Sequence, residues 1–471
     1  MFLNIETHKP DSLAAIDDKG GTLSYGELIS SAASLAESIP ARSLVFAFTD
    51  NSLNSLIGYY AFLNNDIVPL LLDSHQDPEL SRGLIAAYRP AYLWLPAEKN
   101  DLGDFRLVRN FGTHKLMATG LEPWPLDDRL ALLITTSGST GSPKLVRQTR
   151  RNLESNAGAI AEYLEIKEDD RPISTLPMNY VYGLSIVNSH LLRGACLLLT
   201  NYSLMQKEFW NFLKEKEATS IAGVPYTYEM LKRLRFFRME LPSLRTMTQA
   251  GGKLLPELHR EFAQYALEQG KRFVVMYGAA EATARMGYLP AEKALEKYGS
   301  MGLPIPGGRF SLLDEAGREI DQPDVTGELV YHGDNVTLGY AVKGEDLANG
   351  DEWQGRLETG DMVRRDADGF YYVVGRKKRF LKIFGNRVGL DETERLIKSR
   401  FPDLECACLG RDDLMRIFIT EEGLSDDVKN FITQATRLNQ SAFQITEVKC
   451  LPKNEAGKTL YAQLEKEHGC G

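Results

Sequence analysis

The sequence has no excess of basic charge. Its 471 residues include 55 lysines and arginines against 64 aspartates and glutamates, so the formal net charge is −9 and the pI is near 5.5. A protein that binds nucleic acid regardless of sequence draws its affinity from a basic surface that neutralises phosphates. The charge balance therefore argues against nucleic acid as a partner.

Paired cysteines and long apolar runs are also missing. The five cysteines show no C-x-x-C spacing, so they predict neither a disulfide framework nor a zinc site. No stretch approaches the roughly 18 apolar residues of a membrane span, and residues 1–6 lack the basic start and apolar core of a secretion signal. We expect a cytoplasmic protein with reduced thiols, in which Cys406 and Cys408 pack into a core from one face of a strand.

The length and composition predict an α/β protein with several folded units. A hydrophobic content of 43% is enough for roughly two to four cores. Up to about residue 300, helical and strand patterns alternate, which predicts layers of parallel α/β structure. A capping box at Ser24 and Glu27 begins one helix, and residues 43–48 form a buried strand. From about Gly302, short alternating runs with turn signals predict an antiparallel β-rich subdomain, and about ninety further residues suffice for a small α+β domain.

A loop rich in glycine, serine and threonine follows the apolar run of residues 130–134. Its glycines let backbone N–H groups close on an anion, its hydroxyls add donors, and Lys144 supplies charge. The loop departs from the common nucleotide P-loop because Pro143 precedes Lys144 and Leu145 follows it. We interpret it as a phosphate-binding loop; the alternative is a flexible connector. The residues predicted to contact phosphate are Thr136, Ser137, Gly138, Ser139, Thr140, Gly141 and Lys144.

Four further clusters contain groups that suit a nucleotide site. Glu281 closes the segment 277–281 after a predicted strand, where one carboxylate suits Mg²⁺, although a solvated loop acid is an equal alternative. Asp361 lies beside Gly360 and has the chemistry to accept both hydroxyls of a ribose, although Asp beside Gly is usually only a turn. Residues 375–388 and 451–458 are basic runs, which are commonly solvated faces or anion-attracting patches.

Taken in order, these segments resemble the motifs of one known superfamily. The segments TTSGSTGSPK, YGAAE, GELVYHGDNVTLGY, TGD, GRKKRFLKIFGNRV and PKNEAGK span residues 135–458. Together they are similar to those of the acyl-adenylate-forming, AMP-binding superfamily, which includes acyl-CoA synthetases, peptide-synthetase adenylation domains and beetle luciferases. The resemblance implies a large N-terminal domain over residues 1–377 that binds ATP and the acyl group, and a small mobile lid over residues 378–471.

The resemblance also implies a two-step reaction. A small carboxylic acid attacks the α-phosphate of Mg·ATP, pyrophosphate leaves, and the acyl-adenylate is then transferred to a pantetheine thiol. Glu281 would bind Mg²⁺, Asp361 and Arg376 would grip the ribose, and Lys458 would bridge the attacking carboxylate and the α-phosphate. The other residues that the resemblance assigns to ATP, besides the phosphate loop, are Gly251, Gly252, Tyr277 and Gly278.

Three positions in the C-terminal part match the lid of the superfamily. Lys378 occupies the hinge about which the lid would swing between the two steps. Gly385 would line the pantetheine tunnel, where a side chain would crowd the thiol arm. Lys382 matches a lysine that approaches the site in the second state, although a plain surface lysine is an equal alternative.

The departures from the family pattern bear on the substrate. Tyr180 stands where amino-acid-activating domains have aspartate, so an α-ammonium group would lack its counter-ion and pay a desolvation penalty. A non-amino carboxylic acid is therefore favoured. Ala280 replaces the usual threonine before Glu281, which predicts looser phosphate contacts. By position in the family, the acyl pocket would be lined by Tyr180, Tyr182, Val224, Tyr226 and Ala279.

The sequence does not decide which molecule supplies the acceptor thiol. Coenzyme A and the phosphopantetheine of a carrier protein present the same thiol, and family frequency favours coenzyme A. A basic run at residues 232–238 would suit either acceptor, or is a solvated helix face. A catalytically inactive nucleotide-binding relative is the alternative from another class, and the retained Lys458, Glu281 and Asp361 argue against it.

Overall fold

The computed structural model describes residues 1–135, 144–377, 379–384, 386–436, 438–453 and 459–468. Their contacts divide the chain into two compact units. Unit 1 comprises the described residues of 1–136, 142–309 and 331–357, and unit 2 those of 310–330 and 358–471. This division groups the β-rich segment with the C-terminal residues. The predicted domain boundary at residue 377 stays a prediction, because compactness and mobility are different criteria.

Helices occur in both units. The α-helices are α1 (Tyr25–Ala36), α2 (Leu53–Asn64), α3 (Pro78–Tyr88), α4 (Arg150–Tyr163), α5 (Val181–Leu192), α6 (Lys207–Glu215), α7 (Pro225–Arg233), α8 (Pro256–Glu268), α9 (Leu390–Arg400), α10 (Ser425–Thr436) and α11 (Tyr461–His468). Short 3-10 helices cover Phe2–Thr7, Phe236–Arg238, Ala280–Ala282, Ala291–Lys293, Gly344–Ala348 and Gln440–Ala442.

The strands are short, as is usual for twisted sheets. Up to residue 304 they are β1 (Leu13–Asp17), β2 (Thr22–Ser24), β3 (Leu44–Thr49), β4 (Val68–Asp73), β5 (Tyr92–Pro96), β6 (Arg106–Phe111), β7 (His114–Ala118), β8 (Leu130–Thr135), β9 (Leu145–Thr149), β10 (Pro172–Ile173), β11 (Leu197–Leu199), β12 (Ser220–Gly223), β13 (Thr246–Gln249), β14 (Arg272–Tyr277), β15 (Gly287–Tyr288) and β16 (Leu303–Pro304). The later strands are β17 (Arg309–Leu313), β18 (Thr326–His332), β19 (Tyr340–Ala341), β20 (Arg356–Arg365), β21 (Tyr371–Arg376), β22 (Phe380–Ile383), β23 (Asn386–Gly389), β24 (Cys406–Arg411), β25 (Leu414–Ile419) and β26 (Phe443–Glu447).

Unit 1 contains two large sheets. One has the order β16-β15-β14-β13-β12-β10-β11-β1-β2, and the other has the order β19-β9-β8-β4-β3-β5-β7-β6. The central pairs of both are parallel, including β12 with β13, β13 with β14 and β3 with β4, whereas the edge pairs are antiparallel. The main core draws buried residues from α1, α2, α4 and α5 and from strands of both sheets. The predicted layers of α/β structure are confirmed.

The local patterns explain several of these elements. Helix α1 begins where predicted, because the Ser24 side chain accepts from the Glu27 backbone N–H and the Glu27 carboxylate accepts from the Ser24 N–H. Strand β3 coincides with the predicted buried run and has no exposed residue. The strand predicted before the phosphate loop is β8, and it pairs antiparallel with β9, with Thr135 opposite Leu145.

Unit 2 is built around smaller sheets. Its strands form a four-stranded sheet in the order β17-β18-β20-β21, a β22-β23 hairpin and a three-stranded sheet, β24-β25-β26. The pair β20 and β21 is antiparallel, as predicted for the β-rich segment. Helices α9 and α10 pack with β24 and β25 around a separate core that contains Cys406 and Cys408, so the packing role predicted for these cysteines is confirmed.

The thiols and indoles are distributed unevenly. In the described part of the chain, Cys196, Cys406 and Cys408 are buried and Cys450 is exposed, all as free thiols. Burial raises the pKa of Cys196 to about 11 and that of Cys406 to about 12. The four tryptophans, at positions 94, 124, 210 and 353, all belong to unit 1. None of the described helices is long and apolar enough to cross a membrane.

Candidate active site

Three neighbouring strands of the nine-stranded sheet end at the same edge. Strands β12, β13 and β14 run parallel, with Gly223 opposite Gln249 and Gln249 opposite Val275. The segments that follow them therefore leave the sheet side by side at its carboxyl edge, where ligands of parallel sheets bind. These segments hold most of the residues predicted to bind ATP and the acyl group in unit 1.

Gly251 lies in a cradle formed by two predicted pocket residues. Its φ of +82° favours glycine, and a Cβ atom there would lie 2.7 Å from the Tyr180 hydroxyl and 3.0 Å from Val224 Cγ1. The buried Gln249 amide donates to the carbonyl oxygens of Ala250 at 3.1 Å and Gly252 at 2.9 Å. The structure thus places Gly251, predicted to bind ATP, against Tyr180 and Val224, which were predicted to line the acyl pocket. The roles of the three residues stay predictions.

Tyr182 extends this group toward the interior. Its hydroxyl lies 3.0 Å from Thr248 Oγ1 on β13, and its ring meets the Tyr180 ring edge-on at 6.4 Å. Burial raises the pKa of Tyr182 to about 12, so the phenol is neutral at physiological pH. Tyr226, by contrast, lies in the first turn of α7 and is 56% exposed.

A strained turn after β14 positions Glu281. Gly278 packs against the backbone so closely that a Cβ atom would lie 1.6 Å from the carbonyl oxygen of Ala284. Thr283 and Ala284 both have positive φ, 56° and 113°, which is uncommon outside glycine and occurs where the surroundings impose it. Gly278 precedes the 3-10 helix at Ala280–Ala282, Thr283 and Ala284 follow it, and Ala279 is its N-terminal cap residue.

Glu281, Tyr340 and Lys144 form a cluster that links the two large sheets. The Tyr340 hydroxyl donates to Glu281 Oε1 at 2.5 Å, and the Lys144 ammonium lies 5.1 Å from the centre of the Tyr340 ring. Trp353 meets the same ring edge-on at 5.0 Å. Through Tyr340, the cluster connects the predicted magnesium ligand, Glu281, with Lys144, the last residue of the predicted phosphate loop.

The buried Arg147 holds Tyr340 in place. Its guanidinium donates to the carbonyl oxygens of Leu338 at 3.2 Å and Tyr340 at 3.1 Å, and it forms an ion pair with Glu352 at 3.1 Å. Two further bonds reach the carbonyls of Asn349 and Gly350. Burial lowers the pKa of Arg147 below its usual value, and the nearby carboxylates offset only part of this effect. One side chain therefore fastens the segment 338–352 to β9.

Asp361 and Arg376 are cross-strand neighbours in unit 2. They face each other on β20 and β21, and Arg376 Nε donates to Asp361 Oδ1 at 2.6 Å. The Asp361 side chain is 7% exposed and that of Arg376 is 61% exposed. The Asp361 N–H donates to Thr359 Oγ1 at 3.1 Å, which in turn donates to the Leu329 carbonyl at 2.9 Å. The pair predicted to grip a ribose is thus preorganised within one sheet.

A partly buried ionic network follows the predicted hinge in sequence. Arg379 forms ion pairs with Asp391 at 2.5 Å and Glu394 at 2.6 Å, and its guanidinium lies 3.7 Å from the centre of the Tyr461 ring. The Tyr461 hydroxyl donates to the second Glu394 oxygen at 2.9 Å. Three separate segments of unit 2 are joined here, namely the start of β22, helix α9 and helix α11.

Several predicted residues lie outside the described residues. These are residues 136–141 of the phosphate loop, the hinge Lys378, Gly385 and Lys458. Lys382 belongs to β22, where its backbone pairs with Arg387. The roles assigned to these residues stay predictions.

Sequence reasoning missed the parts that Tyr340 and Arg147 take in this site. Tyr340 is the last residue of the GELVYHGDNVTLGY motif, so its place in the motif was the available signal. Arg147 gave none, because its partners lie roughly two hundred residues further along the chain.

Comparisons with known proteins identify the family of this chain. The family described as AMP-binding enzyme matches residues 4–341. The oxalate–CoA ligase of Arabidopsis thaliana is 29% identical over 357 residues, which is 70% of this chain and 65% of that enzyme. A 2-succinylbenzoate–CoA ligase of Bacillus licheniformis is 32% identical over 320 residues, which is 68% of this chain and 63% of that enzyme. The chain thus spans somewhat less than two thirds of these relatives.

The fold has solved counterparts. The O-succinylbenzoate coenzyme A synthetase of Bacillus subtilis, in complex with AMP, superposes with a TM-score of 0.80 at 20% identity, covering 98% of this chain and 97% of that one. ATP-bound MatB from Rhodopseudomonas palustris gives a TM-score of 0.77 at 21% identity, covering 99% and 98%. By its fold and by the match over residues 4–341, the chain belongs to the AMP-binding enzyme family.

Proposed function

We propose that the protein is an AMP-forming acid–thiol ligase. It activates a non-amino carboxylic acid with ATP, releases pyrophosphate, and transfers the acyl group to a pantetheine thiol, most simply that of coenzyme A. The observation that carries the proposal is the cluster of Glu281, Tyr340 and Lys144. Relatives that act on oxalate and 2-succinylbenzoate as coenzyme A ligases support it.

The residues of the cluster suit a magnesium nucleotide. Glu281 uses one carboxylate oxygen for Tyr340, and a carboxylate retains further acceptor sites. Mg²⁺ takes one or two protein carboxylates and otherwise phosphates and water, so a single glutamate is a sufficient donor set. Among the described residues there is no group of three or more His, Cys, Asp or Glu that would form an all-protein metal cage. Magnesium held there would offset the charge of the phosphates during the transfer.

The chain's own groups would act chiefly by positioning and electrostatics. Asp361 would accept hydrogen bonds from ribose hydroxyls, and Arg376 would orient it. Lys144 and the loop before it would bind the outer phosphates. Lys458 would place its ammonium between the attacking carboxylate and the α-phosphate, which is how enzymes stabilise an in-line phosphoryl transfer.

The experiment is ATP–pyrophosphate exchange with and without added carboxylic acids. We expect exchange that requires an acid, and then thioester formation when coenzyme A is added. A carrier protein bearing phosphopantetheine, supplied in place of coenzyme A, distinguishes the two acceptors. An ATPase activity without acid-dependent exchange, or no exchange with any acid, would contradict the proposal. The cytoplasmic location stays a prediction.

A further inference from the structure

Arg285 is a fully buried cation with an incomplete set of partners. It is 1% exposed and lies between the 3-10 helix at Ala280–Ala282 and β15. Its Nη2 donates to Ser185 Oγ at 3.0 Å, and its Nη1 contacts the Tyr163 hydroxyl at 3.3 Å and the sulfur of Met276. Its Nε–H has no hydrogen-bond acceptor among the described residues.

Within the described part of the chain, Arg285 also has no carboxylate partner, since its contacts are all neutral groups. The buried Arg147 shows the contrast, because it has Glu352 and four carbonyl oxygens around it. An arginine does not lose its proton in a protein, and a buried charge without a counter-ion costs several kcal/mol. A negative group placed against Arg285 would offset this cost.

Arg285 adjoins the predicted acyl pocket. Its guanidinium lies 4.2 Å from the centre of the Tyr182 ring, and Tyr182 in turn contacts Tyr180 beside the Gly251 cradle. Ser185, which accepts from Arg285, also lines a small cavity with Gln148 and Asn156. The cavity has room for about one water molecule.

We propose that Arg285 binds a second carboxylate on the substrate, so that the substrate is a dicarboxylic acid. This inference rests on the proposed function and deepens it. A carboxylate fits the edge formed by Nε and Nη2, because a guanidinium presents two parallel N–H donors at the spacing of two carboxylate oxygens. It would satisfy the open Nε–H and replace the weaker contact with Ser185. The first carboxylate of the same molecule is the one that is adenylated.

The test compares acids of equal carbon number that carry one or two carboxylates. The pairs are propionate with malonate, butyrate with succinate, pentanoate with glutarate and hexanoate with adipate, each assayed by pyrophosphate exchange. For the best chain length we expect the dicarboxylic acid to have a kcat/KM about 10- to 100-fold above that of its partner. Arg285→Met should remove this ratio, and Arg285→Lys should keep part of it.

A matched control is Arg260→Met. Arg260 also lies 4.2 Å from the centre of a tyrosine ring, that of Tyr298, but on the exposed face of α8. The Arg260→Met variant should leave the ratio of the two kcat/KM values unchanged. A second readout is thermal unfolding: the preferred dicarboxylic acid should raise the midpoint of the natural protein and not that of Arg285→Met, which itself should unfold at an equal or higher temperature.

The outcomes separate the inference from the function on which it rests. If monocarboxylic acids support exchange equally well and Arg285→Met keeps the ratio, the inference is wrong and the ligase activity stands. A large loss of thermal stability in Arg285→Met would show a structural arginine and overturn the inference too. If no acid of any kind supports exchange or shifts the midpoint, the proposed function fails, and the inference fails with it.

Discussion

Replacing Asp361 by asparagine keeps the shape of the side chain and removes its charge. Charge-assisted hydrogen bonds contribute about 1.5–3 kcal/mol, so we expect the kcat/KM for ATP to fall about 10- to 100-fold. Steady-state kinetics with varied ATP checks this. Asp324→Asn is the matched control, since Asp324, in the turn before β18, pairs with Arg364 of β20 at 2.6 Å but is 64% exposed. Equal losses in both variants would contradict a ribose-binding role.

Gly278 gives a prediction about stability. In Gly278→Ala the new methyl group would collide with the carbonyl oxygen of Ala284, and backbone cannot move aside as a flexible side chain can. We expect a loss of at least about 3 kcal/mol in the free energy of unfolding. Denaturant unfolding followed by tryptophan fluorescence measures it, because all four indoles are in unit 1 with Gly278.

The control for this prediction is Gly158→Ala in helix α4. A Cβ atom at Gly158 would have nothing within 4 Å, and alanine is the better helix former by about 0.5–1 kcal/mol. This variant should be as stable as the natural protein or slightly more stable. If Gly278→Ala were equally well tolerated, the close approach between Gly278 and Ala284 would not exist.

Residues whose partners are near in sequence, or which belong to a motif, could be predicted. Asp361 and Arg376 were assigned together from two short motifs, and β20 and β21 place them opposite each other. Arg285 lies only four residues beyond Glu281, yet nothing in its neighbourhood predicted its environment. Its contacts come from Tyr163, Ser185 and Met276, which only the folded chain brings together.

At the scale of elements, Arg379 joins the start of β22 to helices α9 and α11. Arg379→Met would leave the carboxylates of Asp391 and Glu394 without their cation. Removing one partner of a fully buried ion pair typically costs about 3–5 kcal/mol, and we expect a smaller loss here because the three side chains are 14–29% exposed. We expect unit 2 to unfold at a lower denaturant concentration. Hydrogen exchange of the amides of α9 and β24 measures this directly.

A surface arginine on helix α9 provides the comparison. Arg400 is exposed at the end of α9 and lies 5.7 Å from the centre of the Phe401 ring. Arg400→Met should change the stability of unit 2 by less than about 0.5 kcal/mol. Similar exchange rates in both variants would show that the network around Arg379 contributes nothing to the packing of α9.

Elements with strong local signals were predictable and the shortest ones were not. The capping box of α1 and the apolar run of β3 each satisfy a local rule. Strands β15, β16 and β19 have two residues each, which is too short for any periodicity. Strand β15 pairs with β14, β16 pairs with β15, and β19 pairs with β9, so only tertiary structure defines them.

At the scale of the whole molecule, unit 1 should be the acid-sensitive part. Burial lowers the pKa of His114, His190 and His259 to about 4 from 6.5, and all three belong to unit 1. The unfolded chain binds protons at these sites below about pH 6.5, whereas the folded chain does so only near pH 4. The stability they contribute is therefore complete above pH 6.5 and is lost as the pH falls toward 4.

The expected size is about 2 kcal/mol per histidine between about pH 7 and pH 5. Denaturant unfolding followed by tryptophan fluorescence should show the midpoint of unit 1 falling over this range. His259→Gln should reduce the fall by about a third, because it removes one of three comparable groups. A midpoint that does not change between pH 7 and pH 5 would contradict the prediction.

The class of the fold and its order along the chain were predictable, because the α/β alternation and the β-rich texture after Gly302 are properties of composition and pattern. The grouping of the β-rich segment with the C-terminal residues was not predictable, because it depends on tertiary contacts between segments that are distant in sequence. The sequence motifs contain the residues predicted to bind ATP. They said little about the substrate, because Arg285, which we propose binds it, belongs to no shared motif.

Cys450 makes one region of unit 2 chemically addressable. The other described thiols are buried, so a maleimide dye should couple first at Cys450 once Cys470 is replaced by serine. The label would lie eight positions before Lys458. A dye whose emission depends on its surroundings would then respond to ATP and acid in real time, without any enzymatic product having to be measured.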